Sequence, residues 1–154
     1  EITRCLVGSE MCIRDRKLSE AQDKEIAVTG GKIAFVDYLI LDDPPYLQAQ
    51  ECTSCGARYF DRRNACASCF KDQFRSVAID QEGVVTSFSI VQMGPIPYVS
   101  AVVDCAGTSV KCTIMNVEPS PEYVTLGMQV KLMTYSMGED SEGTEAIAFG
   151  FEPI

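Results

Sequence analysis

The chain has 154 residues, 46% of them hydrophobic, and a formal net charge of −9 at pH 7. That acidity argues against nucleic acid as a main partner, because backbone phosphates need a basic footprint, and the absence of histidine excludes imidazole dyads, triads and histidine-ligated zinc hydrolase sites. No apolar run approaches the ~18 residues of a membrane span, and no basic-then-apolar stretch reads as a secretion leader, so a cytoplasmic location with reduced cysteines is expected.

Residues 1–16 resemble a translated sequencing adapter. Glu1-Ile2 is followed by Thr3-Arg4, where index codons would fall, and then by Cys5-Leu6-Val7-Gly8-Ser9-Glu10-Met11-Cys12-Ile13-Arg14-Asp15. This segment is set aside from fold reasoning, which removes Cys5 and Cys12 from the cysteine count. No Met occurs between Lys17 and Met93, so the natural start is expected upstream. Residues 17–49 read as a lead-in. Leu18 to Glu25 is rich in helix formers and predicts a short helix, Gly30-Gly31 punctuates the chain, and Ile33 to Leu41 has the branched, apolar texture of a strand. Asp42-Asp43-Pro44-Pro45 ends it.

Residues 50–72 carry the strongest motif. Cys52-Thr53-Ser54-Cys55 and Cys66-Ala67-Ser68-Cys69 are two CxxC knuckles separated by ten residues. Four thiolates at this spacing close a tetrahedron around one borderline-soft metal and leave no open position, which fits structural Zn2+. Gly56 stands where the first knuckle needs a positive φ and amides turned toward sulfur. The second knuckle has Phe70 there, which predicts a different turn or a packing role. Tyr59 and Phe60 are expected to cover the metal, since so short a unit has little core of its own.

Residues 76–154 are all β in texture. Strands are predicted over Ser76–Ile79, Val84–Gln92, Tyr98–Cys105, Val110–Val117, Val130–Tyr135 and Ile147–Phe151, with Gly- and Pro-containing turns between them. Five or six short strands without a convincing helix predict a five-stranded OB-fold barrel. Val99, Ala101, Val103 and Cys105 alternate as a barrel interior requires. Cys105 and Cys112 read as small buried hydrophobes. Gly138 to Gly143, with three acids, reads as a solvated hairpin tip, because its acids lack the spacing of a calcium loop.

A four-cysteine ribbon followed by an OB-like barrel resembles the zinc-ribbon/OB-fold acyl-CoA-associated proteins. The resemblance runs through Asp42-Asp43-Pro44-Pro45-Tyr46-Leu47, Cys52-x-x-Cys55-Gly56, Arg58-Tyr59-Phe60 and Cys66-x-x-Cys69-Phe70. It continues in Glu82-Gly83-Val84-Val85-Thr86-Ser87-Phe88, Pro97-Tyr98-Val99, Leu126-Gly127-Met128-Gln129-Val130 and Phe149-Gly150-Phe151-Glu152-Pro153. Asp61 departs from the pattern, where the family often has Pro. The resemblance implies a non-catalytic accessory subunit that binds a thiolase-like acyl-CoA enzyme, or a hydratase or aldolase acting on CoA thioesters, and helps form its acyl-CoA site.

Within that reading, Arg58, Arg62, Arg63 and Lys71 are candidates to meet CoA phosphates, since guanidinium pairs well with phosphate oxygens. Ordinary solvation of a small ribbon explains them equally. Pro95, Ile96 and Tyr98, in the Gly94–Tyr98 loop, are candidates for an apolar contact with the partner or acyl chain; a rigid strand connection is the plainer account. The alternative function is an OB-fold/zinc-ribbon nucleic-acid binder, which the acidic charge and the lack of Trp oppose. An independent enzyme would need Cys105 or Cys112 as nucleophile, with no imidazole to activate it.

Overall fold

The computed structural model describes residues 31–61 and 63–154, all outside helices. The helix expected over 18–25, the adapter-like segment and Arg62 lie outside the described residues. Ten strands follow one another: β1 (Lys32–Ala34), β2 (Leu39–Ile40), β3 (Tyr46–Cys52), β4 (Arg58–Tyr59), β5 (Phe74–Ala78), β6 (Glu82–Val91), β7 (Tyr98–Cys105), β8 (Thr108–Ile114), β9 (Gln129–Glu139) and β10 (Glu145–Pro153).

The last five close on themselves. Their order is β10-β8-β7-β6-β9, and β9 pairs back onto β10. All neighbours are antiparallel except β8 with β10, which run parallel through Phe151 and Ile114. This is the five-stranded OB barrel that the alternation predicts. Val99, Ala101, Val103 and Cys105 are all buried, as are Val85, Val110, Val130 and Phe151 from the other strands. The β7–β8 hairpin turns on Ala106 and Gly107, with φ of 48° and 83°. Two successive positive φ values give the tight turn whose twist suits a two-residue hairpin.

Gly83 lies tight against a neighbouring strand of the barrel. A Cβ there would meet Val103 Cγ1 at 2.5 Å, the Asp104 carbonyl at 2.7 Å and Cys105 Sγ at 2.8 Å. At the far hairpin, Asp140 accepts the amides of Glu142 and Thr144 at 2.8 and 2.9 Å. These bonds hold its carboxyl below the usual range. The acidic tip is therefore a self-capped turn between β9 and β10.

The stretch from Ile33 to Leu41 is two strands rather than one. β1 adds to the barrel sheet in parallel with β10, whereas β2 turns away to pair with β3 in the ribbon sheet. β3 is the hub of that second sheet, pairing also with β4 and β5. Leu39, Leu47, Ala49 and Ile79 from this side share one buried cluster with the barrel interior. The lead-in thus splices ribbon to barrel: Tyr38 packs on Phe60 at 4.8 Å and edge-on to Phe149 at 5.8 Å.

Candidate metal centre

The two knuckles leave the ends of a small antiparallel sheet. Cys52 is the last residue of β3, and its partner across the sheet is Phe74, the first of β5. From there the knuckle turns by hydrogen bonding: the Gly56 amide donates to the Cys52 carbonyl at 2.9 Å and the Cys52 amide to the Ala57 carbonyl at 2.8 Å. The second knuckle repeats this, with Phe70 donating to Cys66 at 2.9 Å and Cys66 to Lys71 at 2.7 Å. The amide of Gly56 therefore closes the turn on a carbonyl, not on sulfur. Amides reach sulfur in the second knuckle instead, among them that of Ser68, 3.4 Å from Cys66 Sγ.

Phe70 does not build a different turn, and it does not pack. Its φ is 62° against 74° for Gly56, so both knuckles use the same left-handed residue, and Phe70 is 82% exposed. That conformation costs a non-glycine residue about 1–2 kcal/mol.

The four Sγ atoms lie within 4.8 Å of one another, with Cys52 and Cys69 3.6 Å apart and Cys55 and Cys66 3.5 Å apart. A tetrahedron with Zn–S bonds of ~2.3 Å has edges of roughly 3.8 Å, so the donor set fits zinc in both chemistry and size. The thiols crowd one another. Cys66 is drawn down to about 6, chiefly by the Tyr59 hydroxyl 3.4 Å from its sulfur. Cys69 accepts a hydrogen bond from the Lys71 backbone that lowers it, but burial and its three sulfur neighbours outweigh this and push it up to about 12. A divalent cation relieves this crowding by taking the thiolates as ligands.

Tyr59 covers the centre as the sequence predicts. Its ring stands edge-on to Phe74 at 6.2 Å, and the Arg63 guanidinium lies 4.5 Å above it. Phe60 instead faces Tyr38 and joins the ribbon to the barrel. Behind the cysteines is a group the sequence reading did not single out. Glu51 is buried, and the register sets Arg58 on β4 and Arg75 on β5 directly opposite it. Arg58 Nε donates to it at 2.8 Å and Arg75 Nε at 2.9 Å; the hydrogen bonds from Arg58 and then Arg75 hold its carboxyl low. Only the pairing register brings these residues together, and nothing local in the sequence signals it.

The other candidates are dispersed. Arg58 is committed to Glu51 and to Thr108 Oγ1 at 3.2 Å. Arg63 is stacked on Tyr59, and Lys71 is exposed. Pro95 and Ile96 lie exposed on the β6–β7 connection with Met93, and Tyr98, also exposed, opens β7 opposite Val91. Cys105 is buried and Cys112 partly so; burial pushes their thiols up to about 11 and about 12. A thiol held that high is a poor nucleophile at neutral pH. No helix among the described residues is long and apolar enough to cross a membrane.

Comparison with known proteins follows the same two units. Residues 43–75 match the rubredoxin-like zinc ribbon domain of ChsH2, and residues 76–135 match the C-terminal OB-fold domain of ChsH2. A solved structure described as "Ltp2-ChsH2(DUF35) aldolase" superposes with a TM-score of 0.54 and 23% identity, over 70% of this chain and 84% of that one. A DUF35-family protein of unknown function from Sulfolobus solfataricus aligns more loosely, with 19% identity, 66% and 73% coverage and a TM-score of 0.41. No curated protein matches the chain. Ribbon, barrel and their order together mean that the chain belongs to the ChsH2-type, DUF35 family of zinc-ribbon/OB-fold proteins.

Proposed function

We propose that this protein is a non-catalytic, zinc-containing accessory subunit of an acyl-CoA enzyme, with a thiolase-like subunit as its partner in the cytoplasm. The observation that carries this reading is the centre of four converging cysteines. With all four positions filled by protein, bound zinc would supply structural cross-linking and hold no site for substrate. Cys52, Cys55, Cys66 and Cys69 would be the ligands. Cys105 and Cys112, the thiols outside the centre among the described residues, are shielded and held protonated. The related structure's name joins ChsH2 to Ltp2 in an aldolase, which supports an enzyme-bound role for a chain of the same family. The ribbon, over about residues 50–72, would serve as the docking unit, and the barrel from 76 onward as the body that supports the acyl-CoA site. Arg63 and Lys71 on the ribbon and Pro95, Ile96 and Tyr98 on the barrel are the candidate contacts with CoA, acyl chain or partner.

A nucleic-acid binder is the weaker reading. From Ser76 to Ile154 the chain carries ten acids and two lysines, which denies the barrel the cationic groove that single strands require. The test assays the isolated chain for turnover of CoA thioesters by thiolysis, hydration and retro-aldol cleavage, and then assays it co-expressed with a thiolase-like subunit. The expected result is no turnover alone, co-purification, and activity in the pair. Turnover by the isolated chain, or salt-sensitive oligonucleotide binding, would overturn the proposal.

A further inference from the structure

The two knuckles provide an internal comparison. After its second cysteine the first has Gly56 and the second Phe70, with the same left-handed backbone and the same 2.9 Å hydrogen bond to the leading cysteine. Glycine takes this geometry without strain and phenylalanine does not. Folding gains little from the ring in exchange, because Phe70 is 82% exposed. A strained residue persists where its surroundings hold it in place, and such positions gather at sites of contact. A bulky aromatic presented to solvent from a cross-linked turn is also preorganised, with little ordering left to do on binding.

The charge around it is distinctive. Between Gln50 and Arg75 the chain carries five cations and three acids, against two cations and ten acids from Ser76 onward. Glu51 is buried between Arg58 and Arg75, leaving Lys71, next to Phe70 in the chain, and Arg63, stacked on Tyr59, exposed together with Asp61 and Asp72. The ribbon is the cationic pole of an acidic molecule. An acidic partner surface is attracted to this end and repelled by the barrel.

We infer that Phe70, with Lys71 next to it on the cationic ribbon, anchors the ribbon to a protein surface that offers an apolar pocket within an acidic rim. The occupant is the enzyme subunit proposed above, so the inference rests on that reading and names the residue through which it acts. A buried aromatic at the centre of an interface carries a large share of its affinity, while rim charges govern the approach and its salt dependence.

The experiment measures the affinity of the full chain for the co-expressed, separately purified thiolase-like subunit by titration calorimetry. Wild type is compared with Phe70→Gly, Phe70→Ala and Lys71→Glu. Gly56 is the precedent that Phe70→Gly preserves the knuckle, so its zinc content stays equal to wild type and its Tm is unchanged or higher. Its affinity falls by about tenfold or more, and Phe70→Ala falls comparably. Lys71→Glu binds more weakly and with a weaker dependence on salt. Wild-type affinity in both Phe70 variants would overturn the anchor and leave the partner reading intact. A marked fall in Tm for Phe70→Gly would overturn it as well, by assigning the ring to the fold. Failure of the wild-type chain to bind would overturn the partner reading and the anchor together.

Discussion

Arg58 Nη1 donates to Thr108 Oγ1 across 3.2 Å, joining the second short strand of the ribbon to the first residue of the barrel's third strand. Thr108 is buried, so the bond is partly shielded from water at its acceptor end, and it links residues fifty positions apart. Thr108→Val keeps the shape and removes the acceptor, leaving one guanidinium proton without its partner. The expected loss is about 1 kcal/mol, read from the urea midpoint at unchanged m-value.

Gly83 supplies a steric prediction. In Gly83→Ala the new methyl would stand 2.5 Å from Val103 Cγ1 and 2.7 Å from a backbone carbonyl, so β7 must move. Overpacking of this kind costs about 1–3 kcal/mol. A thermal melt of the variant checks it, with a lower Tm expected.

Metal removal should unfold the ribbon before the barrel. The ribbon sheet is tied down at its far end by the cysteines, whereas the barrel closes without them. The expected metal content is one zinc per chain by elemental analysis. Chelation should lower Tm and expose the ribbon amides to hydrogen exchange, with those of β7 and β8 still protected. Cys66→Ser should act in the same direction without chelator.

Tyr59 should govern how firmly the centre holds its metal. Its hydroxyl meets Cys66 Sγ at 3.4 Å beneath the Arg63 cation. Tyr59→Phe removes that hydrogen bond and keeps the ring. Outer partners of metal ligands are worth about 10–100-fold in affinity, so zinc transfer to a colorimetric chelator should quicken by roughly tenfold, with the far-ultraviolet dichroism unchanged.

Acid should loosen the β9–β10 hairpin. Asp140 is held below its ordinary range by the amides of Thr144 and then Glu142. Its contribution is therefore fully present above the unfolded carboxyl's pKa and is lost as pH falls through the lowered folded value. The stability difference between wild type and Asp140→Ala should be constant above about pH 5 and shrink below about pH 4. Urea titrations across that range measure it.

Much of this architecture is written locally. The cysteine spacing announces the centre, and the alternation of Val99, Ala101, Val103 and Cys105 marks an inward face, because both signals depend on neighbours a few positions apart. What escaped depends on pairing between distant segments. The break between Ala34 and Leu39, which sends β1 to the barrel and β2 to the ribbon, has no Gly or Pro to mark it. Glu51 looks like any solvated acid until the register sets two arginines against it. Phe70 reads as a packing residue because aromatics usually pack; the symmetry of the knuckles, not residue type, fixes its backbone and leaves its ring outside.

Native mass spectrometry of the chain co-expressed with the thiolase-like subunit is the most direct test of the accessory-subunit claim. The expected result is a stable assembly in which this chain, 16.9 kDa with one bound zinc, adds its mass to the enzyme subunit, and in which chelation releases it. A chain that remains a free monomer beside an intact enzyme would contradict the account.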